Sequence, residues 1–514
     1  MTIDLRAGEK RPIRSVRSIV PCRHDSVGAG WMVRFSLTAA PATWHAPSVI
    51  ESIDGVRANL RGSLRDQPRD RVARLFAGVV VLAAIALTAW IRRPTFATIA
   101  MASGEGSLPV RLFEVMRASI ARGDGVAYWD RFQCGGGPYW ANADAPLIAP
   151  LLTGLARVPG DLAVRALSTA VMVAAMVGAY AWARRNLELD RLASMTTAAL
   201  WIASGSFGTR ALARPVFWAV ALLPTLLVLA RAAAKSKRAT AAAAIVFAWM
   251  VVDGGVTATP IAIVALFASE LPRLLRRGDR ADAMKSLAAP IATGLALAAF
   301  KLVPVLRERA LQPSGFVEHE HYELAHLAPM LLDAEPPPSM AQGYAIDDYW
   351  AYAGPTALGM AIAGLGAAMI LRRHRRALGV LAIALFSSLA LAMGATTPKS
   401  PFVMLSHLPL FDAFHAPSRW LALTTLAVAG LAGVAVNAAI DHARGHRLVQ
   451  LAIVGLALYA VRDPATASRA AIERAWKGHA LPRPAPPPSA YHLGNEADLD
   501  KLAALPARNV GTTH

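Results

Sequence analysis

A turn rich in glycine, aromatic and acidic residues is the strongest candidate for chemistry in this 514-residue chain. It covers residues 128–146, where consecutive glycines and a proline predict a tight turn that allows close backbone approach. Aromatic rings can stack on sugars or lie at the lipid headgroup level, and carboxylates can activate or bind hydroxyl groups. The candidate residues of this turn are Trp129, Asp130, Tyr139, Trp140, Asn142 and Asp144. An interfacial aromatic belt around a plain turn remains the alternative interpretation.

Arginines beside apolar segments form a second group of candidates. Arg214 and Arg419 are predicted to lie outside the membrane, against the usual bias of positive charge toward the cytoplasm. Because a guanidinium fork matches phosphate oxygens, they could bind the phosphate of a lipid-linked sugar. For the nearby Arg210, a headgroup contact or an ion pair with an acidic loop is the favoured interpretation.

A histidine- and glutamate-rich segment at 318–326 is a candidate site for a divalent metal. Its proposed ligands are Glu320, His321 and Glu323, since carboxylates and imidazoles suit zinc, manganese or nickel. No firm ligand spacing matches, so a solvated polar loop remains the alternative. Two further charges, Asp253 and Lys301, lie near the ends of apolar segments, where charges are functional candidates by default. Extension of the Lys301 side chain to the membrane surface is the competing interpretation.

The composition predicts an all-α, polytopic membrane protein that positions these residues. Hydrophobic residues make up 55% of the chain, against about 45–50% in soluble domains. They form long blocks, and the net charge of +19 comes largely from arginines between those blocks. This placement makes a nucleic-acid partner unnecessary. We expect about eleven transmembrane helices, near 75–91, 162–183, 192–207, 215–230, 239–252, 256–271, 287–305, 352–371, 377–394, 420–438 and 447–461. A short segment at 146–155 is predicted to be re-entrant or interfacial.

Arginine-rich connections predict the orientation and the domains. Every second short connection is basic, which predicts a cytoplasmic N-terminus and an extracytoplasmic C-terminus. The chain then divides into a basic, disordered cytoplasmic arm at 1–70, a transmembrane domain at 71–462 and a proline-rich extracytoplasmic tail at 463–514. Large extracytoplasmic loops are expected at 93–161 and 307–350, so the candidate turn lies outside the membrane.

Several short blocks, in order over about residues 75–440, resemble the bacterial YfhO-like membrane proteins, which have the architecture of GT-C glycosyltransferases. The first loop of this family has a Trp-Asn-Pro, Gly-Gly or Tyr-Pro, and Ala-Asn-Pro pattern. The similar blocks here are Trp129-Asp130, Gly136-Gly137-Pro138, Ala141-Asn142-Ala143 with Pro146, Trp218 with Leu223-Pro224, Asp253-Gly254-Gly255, Phe300–Pro304, Tyr349–Pro355, Leu408–Phe411 and Ala416–Trp420.

The resemblance implies a GT-C-like fold in a bacterial inner membrane. It also implies transfer of a sugar from a polyprenyl-phosphate donor to a lipid or an envelope glycan. The family's first-loop acid corresponds to Glu105, with Asp130 as a second candidate base or metal ligand, and Glu114 and Asp124 remain open. Arg419 falls in a family-like block and would bind phosphate. No cofactor is implied with certainty beyond a possible divalent metal.

Two other classes of function remain open. A non-catalytic protein of the same fold would bind or position envelope lipids or glycans, or support an assembly complex. The loose match of the first-loop acid, and the lack of a large C-terminal domain found in longer family members, favour that alternative. A transporter would show internal pseudo-symmetry and charges near the membrane midplane. The sequence shows neither clearly.

Overall fold

The structure, a computed structural model, is helical apart from one short pair of strands and the connecting loops. It describes residues 68–97, 107–127, 129–130, 137–143, 145–208, 210, 216–311, 320–335, 350–408, 410–411, 414 and 416–477. The predicted cytoplasmic arm at 1–70 lies almost wholly outside this set. The described residues from Val72 onward belong to a single compact unit.

The helices follow the apolar blocks of the sequence. They are α1 (Pro68–Ala97), α2 (Ser107–Ala121), α3 (Ile148–Leu155), α4 (Gly160–Arg185), α5 (Arg191–Ala203), α6 (Gly205–Gly208), α7 (Val216–Val220), α8 (Leu223–Ala233), α9 (Lys237–Leu274), α10 (Arg280–Leu297), α11 (Ala299–Leu311), α12 (Leu324–Leu332), α13 (Pro355–Ile370), α14 (Arg375–Ala392), α15 (Pro401–Ser406), α16 (Leu421–His442) and α17 (Arg447–Lys477). Single 3₁₀ turns precede α14 and α16 at Arg372–His374 and Pro417–Trp420. Strands β1 (Trp129–Asp130) and β2 (Gly137–Pro138) pair antiparallel.

Seven helices among the described residues are long and apolar enough to cross a membrane. They are Gly78–Phe96, Gly160–Arg185, Val216–Ala233, Lys237–Gly255, Arg372–Ala392, Pro417–His442 and Arg447–Arg474. The pair α10 and α11 is bent by 77° and passes the same test only as a unit, and α13 is a shorter apolar helix. Each of the eleven predicted segments coincides with helix, but four are not among the seven: α5, the second half of α9, the bent pair and α13. The all-helical prediction is confirmed, with seven candidate membrane spans among the described residues, while the count of eleven and the orientation stay predictions.

Helix α16 lies at the centre of the bundle. Its residues are buried almost continuously from Leu421 to Asn437. It packs on α13 so closely that a Cβ at Gly364 would overlap the carbonyl oxygen of Leu431. Small residues allow this approach of helix backbones, which provides much of the association between helices in membranes. The bundle therefore has a rigid centre against which the connecting loops can be placed.

Side-chain caps determine where two of the helices begin. The Asp190 carboxylate accepts a hydrogen bond from Ala193 N at 2.8 Å at the start of α5. Ser236 accepts one from Ala239 N at 3.3 Å at the start of α9. Each cap satisfies a backbone N–H that has no partner inside its own helix.

The last helix continues past the predicted end of the transmembrane domain at 462. It runs through Pro464 to Lys477, so the first part of the predicted tail is helical. The hydroxyl of Tyr352 donates to both carboxylate oxygens of Asp463 at 3.0 Å, and Ser468 Oγ donates to Ala203 O at 2.7 Å. Burial and the Asp463 charge raise the pKa of the Tyr352 hydroxyl, which stays a donor. These contacts explain why the polar end of α17 remains packed.

Candidate functional site: a loop fixed to a break in a helix

Helix α9 is broken at Gly255, and the candidate loop lies directly on the break. Gly255 has φ 45° and ψ −131°, a conformation that residues with a side chain rarely adopt. A Cβ at this position would overlap the carbonyl oxygen of Ala143. The glycine therefore serves two purposes, since it permits the break and allows the loop backbone to touch the helix.

The carboxylate of Asp253 holds the start of the short helix α3 against the break. It accepts hydrogen bonds from the backbone N–H groups of Leu147 at 2.8 Å, Ile148 at 2.7 Å and Ala149 at 3.0 Å. It also accepts one from Trp249 Nε1 at 2.9 Å. A helix N-terminus carries unsatisfied donors and a partial positive charge, which a carboxylate complements. Asp253 is 4% exposed and acts as an anchor for the loop.

Lys301 holds the same loop from the opposite side. Its ammonium group donates to the carbonyl oxygens of Asn142 at 2.8 Å and Ala145 at 3.2 Å, and lies 3.5 Å from that of Tyr139. The residue is 2% exposed, so the side chain does not extend to the surface. We call the assembly of Asp253, Gly255 and Lys301 with residues 139–143 and 145–149 the loop junction.

Two predicted sugar-stacking residues are structural parts of the junction. The buried Tyr139 hydroxyl donates to Pro146 O at 2.9 Å. Burial raises the pKa of Tyr139 well above its ordinary value, and the charges of Asp253 and Asp130 raise it further. Trp140 Nε1 donates to Phe300 O at 2.8 Å, and the two rings meet edge to face with centroids 5.8 Å apart. Trp140 is partly exposed and keeps some surface for a ligand.

Asp130 is a buried acid at the edge of the junction. It is 2% exposed in β1, and its Oδ2 lies 3.6 Å from Nη2 of Arg111 on α2. Tyr139 lies within electrostatic reach of Asp130, which connects the pair to the junction. The two neighbouring acids, Glu114 and Asp124, already have partners within the protein. Glu114 accepts from Gly160 N at the start of α4, and Asp124 is exposed and pairs with Arg122.

Arg419 lies on the other side of the break in α9. It is 6% exposed, and its Nη1 donates to Thr257 Oγ1 at 3.0 Å, two residues after Gly255. The next residue, Trp420, stacks on Phe414 with ring centroids 4.8 Å apart. A buried cation is thus tied to the same helix break that carries the loop.

The remaining predicted site residues divide into three groups. Glu105, Asp144 and Arg214 lie outside the described residues. Trp129 is described only through its backbone, which pairs with Pro138. Arg210 is fully buried, with its guanidinium carbon 5.2 Å from the Phe217 ring centroid.

The proposed metal ligands belong to a small packed segment. His321 forms a bridge with Gly394, and Glu320 O accepts from Ala395 N at 3.0 Å. Glu323 caps α12 reciprocally with His326. Among the described residues no group of three His, Cys, Asp or Glu side chains comes together as a metal site requires. The metal site of Glu320, His321 and Glu323 stays a prediction without support from the geometry.

Sequence reasoning missed two arginines, Arg111 and Arg92. Arg111 pairs with Asp130 across a turn, and only the spacing of basic and acidic residues on α2 and β1 could have suggested it. Arg92 is fully buried in α1 beside an exposed Arg93, a difference that no local sequence signal indicates.

Comparison with known proteins does not assign a family. No protein-family model matches the chain, and no curated protein matches it significantly. The resemblance to YfhO-like proteins therefore stays a prediction. The structure shows a helical chain with seven candidate membrane spans among the described residues and a loop fixed to a helix break.

Proposed function

We propose that the chain is a membrane glycosyltransferase of the GT-C type. It would transfer a sugar from a polyprenyl-phosphate donor to a lipid or an envelope glycan at the extracytoplasmic side of a bacterial inner membrane. The observation that carries the proposal is the loop junction, together with a buried acid, Asp130, near Tyr139 and a buried cation, Arg419, that donates to Thr257 just after the break.

Inverting sugar transfer requires the two kinds of group found beside the junction. A base removes the proton from the acceptor hydroxyl while that oxygen bonds to the anomeric carbon. The bond from this carbon to the phosphate oxygen breaks, and positive charge stabilises the departing phosphate. Asp130 fits the base, since it is a buried carboxylate whose Oδ2 lies 3.6 Å from Nη2 of Arg111. Arg419 fits the phosphate-binding group.

The anchoring of the loop supports a catalytic use. Catalysis requires reacting groups to be held close to their productive positions by rigid supports. Here Asp253 and Lys301 bind the loop backbone directly and leave Trp140 partly exposed above it. Trp140, with Trp129, would then provide a stacking surface for sugar or prenyl groups.

A non-catalytic role in binding lipids or glycans is the second candidate. The burial of Asp130 and Asp253 favours it, since these two acids are 2% and 4% exposed. An acid that cannot reach an acceptor hydroxyl cannot act as its base. The two candidates therefore differ in whether the junction opens toward a substrate.

The test is transfer of labelled sugar from a panel of polyprenyl-phosphate sugars to total envelope lipid. Wild-type protein is compared with Asp130→Asn and Glu105→Gln. Asp124→Asn is the matched control, since it changes an exposed acid in the same loop. A positioned general base contributes about 100- to 10,000-fold to the rate. We therefore expect either Asp130→Asn or Glu105→Gln to lower the transfer rate by at least about 100-fold. The Asp124→Asn control should transfer sugar at the wild-type rate.

The outcomes separate the two candidates. Transfer that survives both Asp130→Asn and Glu105→Gln would rule out the proposed base. No transfer from any donor by folded protein that still binds the donor lipid would favour the binding role.

A further inference from the structure

Arg92 is a buried cation that has no counterion among the residues the structure describes. It is 0% exposed near the end of α1. None of its three guanidinium nitrogens has a hydrogen-bond partner in the described part of the chain. An unpaired guanidinium inside a protein costs several kcal/mol, so such a residue calls for an anionic partner.

Thr88 extends the same unsatisfied surface by one helical turn. It lies four residues before Arg92, so the two side chains share one face of α1. Thr88 is also 0% exposed, and its hydroxyl has no partner among the residues described. One face of the helix thus presents four unused polar atoms, the Thr88 Oγ1 and three guanidinium nitrogens.

Two other buried arginines, Arg165 and Arg419, have partners within the protein. Arg165 donates to Thr95 O at 2.5 Å, and Arg419 donates to Thr257 Oγ1 at 3.0 Å. Arg92 lies only three residues from Thr95 and makes no such contact within the described chain. An ordinary role in packing therefore does not account for it.

The position of Arg92 matches the depth of lipid phosphates. The apolar span of α1 covers Gly78–Phe96, and Arg92 lies four residues before its end. At a rise of 1.5 Å per residue this is about 6 Å from the end of the span. The headgroup region adds roughly 5–7 Å on each side of the hydrocarbon core. A phosphate at the boundary of this region would be within reach of the Arg92 side chain.

Exposed apolar residues lie beside the buried face of α1 that carries Arg92. They include Leu82, Ile85 and Phe96, which are 67%, 49% and 52% exposed. Cations also hold this helix in place, since Arg469 lies over the Trp90 ring at 4.9 Å and Arg165 binds Thr95 O. These positive charges favour an anionic ligand for Arg92 over a cationic one, and the bilayer is the source of such a ligand.

We propose that Arg92 and Thr88 form a binding site for the phosphate group of an anionic lipid. The guanidinium fork binds two phosphate oxygens, and the threonine hydroxyl donates to a third. The acyl or prenyl chains lie along the exposed face of α1. This site is separate from the loop junction and does not depend on the chain being a glycosyltransferase.

The experiment measures lipid binding to the full-length protein by native mass spectrometry and by thermal stabilisation in detergent. The probes are phosphatidylglycerol, a polyprenyl monophosphate, zwitterionic phosphatidylcholine and inorganic phosphate. The variants are Arg92→Gln, Arg92→Lys and Thr88→Val. Arg93→Gln is the matched control, because it removes the same charge from the adjacent exposed position.

We expect Arg92→Gln to weaken binding of the anionic lipids by about tenfold or more, which equals the loss of one charge-assisted hydrogen bond. Arg93→Gln should bind as the wild type does. Stabilisation by the polyprenyl monophosphate, by phosphatidylglycerol or by inorganic phosphate identifies the source of the phosphate.

If Arg92→Gln fails to fold, Arg92→Lys provides the test, because it keeps the positive charge and loses the two-pronged guanidinium geometry. Weaker binding in Arg92→Lys at unchanged stability supports the site. Equal binding in the wild type and in every folded Arg92 variant, or an equal loss in Arg93→Gln, would overturn it.

Discussion

Charged residues have opposite environments in two regions of the molecule. At the loop junction, Asp253 and Lys301 are 4% and 2% exposed and bind backbone groups of a distant loop. Where α14 approaches the end of α16, Arg373 pairs with Asp441 with side chains 56% and 28% exposed. At the loop junction, buried charges hold the backbone of the loop in place. Between α14 and α16, the paired charges are already stabilised by water.

The difference predicts which charges matter for the structure. Removing a buried charge at the junction leaves backbone donors or acceptors unsatisfied, which is expensive. Removing an exposed charge returns its partner to solvent at little cost. The junction should therefore be sensitive to single substitutions, and the exposed ion pairs should be tolerant.

The largest effect is expected from Asp253→Ala. It leaves three backbone N–H groups at the start of α3 and Trp249 Nε1 without their acceptor. We expect the free energy of unfolding to fall by about 3–5 kcal/mol, measured by denaturation in detergent micelles. The control is Asp190→Ala, which removes a cap with one such bond and should cost about 1 kcal/mol. If Asp253→Ala and Asp190→Ala lowered the free energy of unfolding equally, Asp253 would be an ordinary helix cap and not a special anchor.

A smaller loss is expected from Gly255→Ala. The new Cβ would overlap Ala143 O, and the backbone would be held at φ 45°. Strain and overpacking together should lower the free energy of unfolding by about 2–4 kcal/mol. Gly359→Ala is the control, since a Cβ there meets open space in helix α13. It should be neutral or stabilise by up to about 1 kcal/mol. A neutral Gly255→Ala would show that the loop does not rest on the break.

Lys301→Met tests the second anchor. The change removes the donor of the Asn142 and Ala145 carbonyl oxygens but keeps a long side chain. We expect a loss of about 2–3 kcal/mol and faster proteolysis of the loop. The exposed Lys285 on α10 supplies the control, and Lys285→Met should stay within about 0.5 kcal/mol of the wild type. A loop as resistant in Lys301→Met as in the wild type would contradict the anchor.

The smallest effect is expected at the exposed pair of Arg376 and Glu188, whose side chains are 57% and 60% exposed. Arg376→Gln should change the free energy of unfolding by less than about 1 kcal/mol. High salt should remove even that difference, since exposed pairs are screened. If Arg376→Gln lowered the free energy of unfolding as much as Lys301→Met does, the proposed difference between the two regions would be wrong.

The sequence predicted the helices much better than the junction. Hydropathy is a local property, so every predicted apolar segment coincides with helix. The charges Asp253 and Lys301 were recognised as unusual, but their partners lie 106 and 159 residues away in the chain. No local pattern identifies which backbone groups such a charge will meet. Helix ends also followed tertiary contacts, as in the packed extension of α17 through Asp463.

The burial of Asp130 and Arg92 could not be read from the sequence either. Asp130 was expected in an open turn and is paired with Arg111 inside the protein. Arg92 and Arg93 are identical in type and adjacent, yet one is fully buried and the other exposed. Their difference depends on the rotation of α1 against α4 and α17, which is set by packing between elements.

The most direct test of the junction is hydrogen exchange of the amides at Leu147, Ile148 and Ala149. Wild-type protein is compared with Asp253→Asn, and Asp190→Asn serves as the control. If Asp253 holds these amides, they exchange slowly in the wild type and in the control and rapidly in Asp253→Asn. Rapid exchange in the wild type, or equal protection in Asp253→Asn, would contradict the account.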